Sequence, residues 1–555
     1  MSKNVESSTN RPTDSGFSRR KMIAGTGAVT AAAMLGVRLL PGASAQETQV
    51  AATPVPLGSA IPPEITDGAN DWPTENKDLT QTRYASGSAI DSTNVASLEV
   101  AWTYVFDVTS GYGASTANPI ISGDVLYTTD QLSNVYAFNK DTGEQIWRTD
   151  YNIPTIGPNG LSIGYGVIAH GLGDSGIAVA LDAATGTELW RATLTNNVGE
   201  GIDMAPLIYD NTVYISTVPG NSTVFYRGGQ KGIFYALDIT SGDTIWQWDT
   251  TTDNLWGNAR VNSGGGLWHP PAVDEEGQLY IAVANPAPWP GNSEFPNGSS
   301  RPGENLYSNC IVKLDPATGS VVWYNQVMPH DIFDLDQQLS PVLTKVTIAG
   351  AETDIVVASG KHGYVLGIDR QSGITIWRTP IGKHQNDTLT EVPDDVDYIE
   401  VYPSSLGGVE VPFAVADGVG FFALMNRAAY YTPTGRPEDV TATPLTEVDG
   451  QVVAIDLATG KILWDNTIPT AGFGGATVVN DVVFSGGLDG VFRAYSVTDG
   501  SLLWSYQAPA GINATPAIVG DTVYLVAATA LLPSVDTESP APELATSLIA
   551  LKLPS

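Results

Sequence analysis

Short apolar runs separated by polar turns recur along most of the chain, and one pattern repeats. A run ending in Leu-Asp or a close variant is followed by two variable residues, Thr or Ser, Gly, and a second run ending in Trp. It reads AFNKDTGEQIW to Trp147, ALDAATGTELW to Trp190, ALDITSGDTIW to Trp246, KLDPATGSVVW to Trp323, GIDRQSGITIW to Trp377, AIDLATGKILW to Trp464 and AYSVTDGSLLW to Trp504. Each copy predicts a strand, a tight turn and a second strand. Gly accepts the positive φ of the turn, and Asp and Thr bond its amides. The Trp offers a flat face that wedges between neighbouring sheets. No long helical period interrupts the pattern.

An eighth copy is split between the chain ends. LEVAW ends at Trp102 with no turn before it, and SLIALKL (547–553) supplies an apolar strand with no Trp after it. Joining them predicts an all-β, eight-bladed β-propeller closed by strands from both termini, which leaves no open sheet edge. The Trp residues are 45, 43, 56, 77, 54, 87 and 40 apart. Four strands and three turns need about 40 residues. The intervals Trp246–Trp323 and Trp377–Trp464 therefore carry long loops, where binding usually resides.

Composition narrows the chemistry. A net charge of -33 excludes a nucleic-acid partner and argues against adhesion to anionic lipid. The single cysteine, Cys310, excludes an internal disulfide, a Cys-x-x-Cys-His haem attachment and a cysteine-based metal site. With only five His, any bound metal would have to take oxygen ligands.

Residues 1–45 read as an export signal. Arg19-Arg20 precedes a mildly apolar run from Met22 to Val37, and Ala43-Ser44-Ala45 offers a small-residue cleavage site. The arginine pair is similar to a twin-arginine signal, and the run is too short and weak to predict a membrane span. Residues 46–66 are expected to be a linker and 67–555 the propeller, in an exported protein of the periplasm or beyond.

The Trp-bearing repeat, from DWPTENKDLTQTRYA (71–85) to the C-terminus, resembles the quinoprotein dehydrogenases, the pyrroloquinoline-quinone (PQQ) alcohol dehydrogenase family. The resemblance implies PQQ with calcium or a lanthanide, a small alcohol or sugar substrate, and an external electron acceptor, since the chain has no haem motif. Trp268 in GGGLWHPP is similar to the Trp on which the quinone stacks, and Asn285 in ANPAPW to an amide ligand of the metal. HDIFDLD (330–336) resembles the family's His-Asp-x-Trp-Asp segment with Phe333 for Trp. Asp334 then matches the base that takes the alcohol proton and also faces the metal. Asp336 matches the extra carboxylate of lanthanide-using members. If the segment is extended, alternation points both carboxylates to one side, where they repel unless a cation joins them. Lys361 in GKHGYVLGIDR matches a basic residue near the quinone oxygens, and Phe473 in AGFGGA a second aromatic beside the ring.

Three departures stand out. No Glu occurs in 216–232, where the family has a glutamate metal ligand; Asn159 stands where an arginine meets the cofactor carboxylates; Glu410 stands where Asn is usual. The reading is an exported PQQ-dependent dehydrogenase, with a non-catalytic propeller that binds a protein or polymer as the alternative.

Overall fold

The repeat's chemistry builds the observed architecture. In this computed structural model, residues 58–68, 70–110, 112–221, 226–529 and 545–554 are described. The expected export signal, and the expected linker through residue 57, lie outside them. The fold is all-β and propeller-like, with eight four-stranded antiparallel sheets among the described residues. Seven are formed by consecutive strands of one stretch of chain, setting aside short inserted strands. In the eighth, Ala517–Val519, Thr522–Ala527 and Ser547–Lys552 are completed by Glu99–Val105, which pairs antiparallel with Ser547–Lys552.

The repeat in the fourth sheet shows why the turn needs its residues. Asp315 Oδ1 accepts the amides of Ala317 and Thr318, at 3.0 Å each, and the Thr318 hydroxyl. Gly319 has φ +68°, and a Cβ there would lie 2.6 Å from the Trp246 ring of the preceding sheet. The indole lies against that turn, and its Nε1 donates to Pro316 O at 2.8 Å. Trp102, Trp147, Trp190, Trp323, Trp377 and Trp464 do the same to the next turn, through Lys140, Ala183, Ile239, Arg370, Leu457 and Val497 carbonyls. Each repeat thus carries both the wedge and the slot for its neighbour's wedge.

The apolar core is correspondingly distributed between successive sheets. Val213 and Ile215 of the third sheet pack with Ala178 and Ala180 of the second, and Ile355 and Val357 of the fifth with Phe422 and Val453 of the sixth. One large cluster joins Phe484 and Phe492 of the seventh sheet, Tyr524 and Leu548 of the eighth, and Tyr136 and Phe138 of the first. The eighth sheet lacks the Asp-Thr-Gly turn because its adjacent strands Glu99–Val105 and Ser547–Lys552 are not consecutive in the chain. The 3-10 turn Val95–Ser97 stands there instead beside strand Leu502–Gln507, and Trp504 joins the cluster that holds Ile90 and Val95.

A leading segment ties all eight sheets together at their first strands or the turns just after them. Ser59 O accepts the Tyr165 hydroxyl, Ala60 O accepts from Asp210 N, and the Glu64 carboxylate accepts from Tyr165 N and Gly166 N, so the stretch expected to be linker is engaged from Ser59 onward. Trp72 pairs with Ile121. Leu79, Thr80, Thr82 and Arg83 carbonyls accept from Val273, Leu343, Val415 and Val478, and Ala89 N donates to Gly520 O. Fully buried Arg83 adds bonds to Glu75 O, Ala476 O and Pro516 O.

Candidate active site

The HDIFDLD segment follows the fourth sheet but is not a strand. Asp331 makes the local structure: its Oδ1 accepts Phe333 N at 2.8 Å and its Oδ2 accepts Leu335 N at 2.7 Å. That wrapping holds Asp334 at φ +66°, in the left-handed region. The expected extended alternation is therefore replaced by a side-chain-capped turn, yet both carboxylates still converge on one point. Phe333 is buried with its ring 4.7 Å from Tyr431, whose hydroxyl donates to Phe333 O.

The point of convergence is the Lys361 ammonium. Nζ lies 2.7 Å from Asp336 Oδ2 and 3.3 Å from Asp334 Oδ2, with all three side chains at most 7% exposed. The cation that joins the two carboxylates is thus supplied by the chain. Lys361 is held there by its own backbone: its N–H donates to Asp336 O at 2.9 Å, and a Cβ on Gly408 would lie 2.1 Å from Lys361 O. Asn285 completes the group. Its Nδ2 donates to Asp334 Oδ1 at 2.8 Å, its backbone N–H to Asp336 Oδ1 at 3.2 Å, and its Oδ1 accepts the Tyr226 hydroxyl at 3.1 Å. Burial, opposed by Lys361 and reinforced by the charges of Asp334 and Glu410, pushes the Asp336 carboxyl up to about 8.

Two contributors were not legible from the repeat. Ser405 Oγ donates to Asp334 Oδ2 at 2.5 Å, and Tyr226 orients Asn285. Ser405 is set by Arg427, whose Nη1 donates to Ser405 O. Both Ser405 and Arg427 come from the long interval Trp377–Trp464, which also forms a small sheet of Ile399–Val401, Ala429–Tyr431 and Thr441–Ala442. The two long intervals touch: Asn297 Oδ1 accepts Val392 N.

The other expected residues take different places. Glu410, half-buried, reaches the group through Gln338, whose Nε2 donates to its Oε2 at 3.4 Å while its Oε1 accepts Lys361 N. Phe473 lies in a separate small apolar cluster with Met425, Ala471 and Leu488. Asn159 has φ +54° and turns its amide to backbone, accepting Gly160 N and donating to Asp130 O. Trp268 is half-buried and follows the pairing of Ser263–Gly264 with Pro286–Ala287, which sets its loop beside Asn285.

Two fits follow from these contacts. Around Trp268 the indole Nε1, Asp203 Oδ2 and Gln131 Oε1 are buried without a protein partner. Gly157 joins them: a Cβ there would lie 2.3 Å from Asp203 and 3.0 Å from the Trp268 ring, and its carbonyl accepts from Gln131. Burial pushes Asp203 up to about 6. An aromatic side chain with unmet polar atoms close by fits a planar polar cofactor. The oxygens of Asn285, Asp334 and Asp336 are a donor set suited to a hard cation, with Lys361 standing among them.

Comparison with known proteins places the chain. It matches the PQQ family described as "Glucose/ethanol/alcohol dehydrogenase, beta-propeller domain" over residues 72–170 and 197–390, and belongs to that family. Residues 439–539 match a profile described as outer membrane protein assembly factor BamB. The chain is 27% identical over 507 residues to quinohemoprotein alcohol dehydrogenase ADH IIB of Pseudomonas putida, covering 80% of this chain and 71% of that one. It is 25% identical over 520 residues to a lanthanide-dependent methanol dehydrogenase of Methylacidiphilum fumariolicum, covering 80% and 82%. The fold matches the crystal structure of quinohemoprotein alcohol dehydrogenase from Comamonas testosteroni with a TM-score of 0.74 at 23% identity, over 87% of this chain and 80% of that one. A europium-containing methanol dehydrogenase gives 0.73 at 21% identity, over 87% and 98%.

Proposed function

We propose that the protein is an exported PQQ-dependent dehydrogenase that oxidises the hydroxyl group of an alcohol or sugar and passes electrons to an external acceptor. The eight sheets are read as the blades of a ring closed by strands from both chain ends. The observation that carries the function is the buried group of Asp334, Asp336, Lys361 and Asn285, drawn from separate parts of the chain onto one point. The twin-arginine-like segment supports export. No helix among the described residues is long and apolar enough to cross a membrane.

Asp334 is read as the general base, taking the substrate hydroxyl proton on a carboxylate oxygen. Lys361 is read as the positive charge that supports the quinone oxygens, while Asn285 and Ser405 fix the direction of the Asp334 lone pairs. Asn285, Asp334 and Asp336 would hold calcium or a lanthanide, and Trp268 the face of the cofactor. When bound, the quinone supplies the hydride acceptor and the metal polarises its reacting carbonyl. Enclosure of the carboxylates away from water strengthens each of these electrostatic contacts.

The test pairs PQQ titration with dye reduction over a panel of alcohols and sugars. Asp334→Asn is expected to bind PQQ as the parent does while dye reduction falls by roughly 10²–10⁴-fold. Equal turnover in the two proteins would remove Asp334 as the base. Absence of PQQ binding with and without calcium or a lanthanide would favour a binding role for the propeller.

A further inference from the structure

We propose that the Lys361 ammonium is the resident counter-ion of the Asp334–Asp336 pair and that a metal ion must expel it from the carboxylates to enter. This deepens the reading of Asn285, Asp334 and Asp336 as metal donors, and rests on it. The Oδ2 atoms of both aspartates already contact Nζ, at 3.3 and 2.7 Å. A hard cation takes carboxylate oxygens at roughly 2.3–2.6 Å. Each Oδ1 already accepts from Asn285, so an ion bridging the pair competes with Nζ for the same two Oδ2 atoms.

The exchange asks for movement of the side chain only. The backbone of Lys361 is fastened by its amide to Asp336 O, and the ammonium is carried on a four-carbon stem with several rotatable bonds. Metal loading and the displacement of Lys361 are then one event. In the empty site the ammonium bridges the two Oδ2 atoms; in the loaded site it is displaced from them. The resident cation also weakens metal binding relative to the same donors without it.

Terbium(III) is the probe, added to the full chain without quinone and followed by luminescence sensitised by nearby aromatic side chains. Lys361→Met is expected to bind terbium more tightly by on the order of 100-fold, the scale of a broken buried ion pair. Lys361→Gln serves the same purpose if the Met variant does not fold. Lys383→Met, which removes an exposed lysine paired with Asp449, is expected to shift affinity less than about twofold. Unchanged or weaker binding in the Lys361 variants overturns the proposal, provided the parent binds terbium. A gain that persists in Lys361→Met/Asp336→Asn also overturns it, because the ion is then held elsewhere on the acidic surface. No site-specific terbium binding in any variant overturns the metal-donor reading and this proposal together.

Discussion

Removing Lys361 tests whether its ammonium is what makes two buried carboxylates tolerable. At an effective dielectric near 20, attraction across 2.7 and 3.3 Å amounts to about 6 and 5 kcal/mol. Most of that offsets the cost of taking three charges out of water. Cutting one partner from such a group leaves about 3–5 kcal/mol of destabilisation, expected for Lys361→Met without metal. The direction with pH is fixed as well. Burial already raises Asp336, Lys361 opposes the rise, and Asp334 and Glu410 add to it; without Lys361 the carboxyl goes higher still. A carboxyl whose folded pKa is raised favours folding below its unfolded pKa and loses that advantage as pH rises through the folded value. Below the parent's folded value the two proteins change alike with pH, so the extra loss in the variant accrues above about pH 8, where the parent's carboxyl ionises beside Lys361 and the variant's does not. Urea unfolding of both proteins at about pH 6 and about pH 9.5, in chelator, measures it. An equal penalty at both, or one below about 1 kcal/mol at the higher pH as for an exposed pair, refutes the reasoning.

Two further outcomes follow from buried contacts. His170 is fully buried between the Gly160 and Ser133 carbonyls, and burial lowers its pKa from 6.5 to about 4. The unfolded chain then takes the proton first, so stability present above pH 6.5 falls by about 3 kcal/mol on descending to pH 4. His170→Gln should flatten that slope in unfolding curves across the window, and an identical slope would exclude His170 as its source. Trp246→Phe keeps an aromatic face but loses the bond from Nε1 to Pro316 O. A drop of about 1–2 kcal/mol in unfolding free energy is expected, and an unchanged urea midpoint would show that the inter-sheet bond contributes nothing.

The repeat was legible because its chemistry is local. Asp315, Thr318 and Gly319 lie within five residues and determine their own turn, so reading one copy read seven. That Lys361, Asp334, Asp336 and Asn285 belong to one group was also legible, through short segments whose resemblance named them. What brings them together was not. The left-handed Asp334 depends on two amides captured by Asp331, a contact that alternation cannot anticipate. Ser405 sits in a long interval with no periodic pattern, and its approach to Asp334 is set by Arg427, 22 residues away. Asn159 and Phe473 show the converse: matching positions whose side chains are turned to local backbone or to a separate apolar cluster.

The leading segment from Ser59 to Ala89 has a consequence for how the molecule is completed. It precedes all eight sheets in the chain but bonds to every one, including the sheet that holds Ser547–Lys552. Its partners lie up to several hundred residues ahead, so loop closure on this scale makes final docking slow compared with each sheet's own hairpins. Individual sheets can form in order behind the ribosome while the leading segment waits. Any change that weakens this segment should leave secondary structure in place yet delay or loosen the last step of assembly.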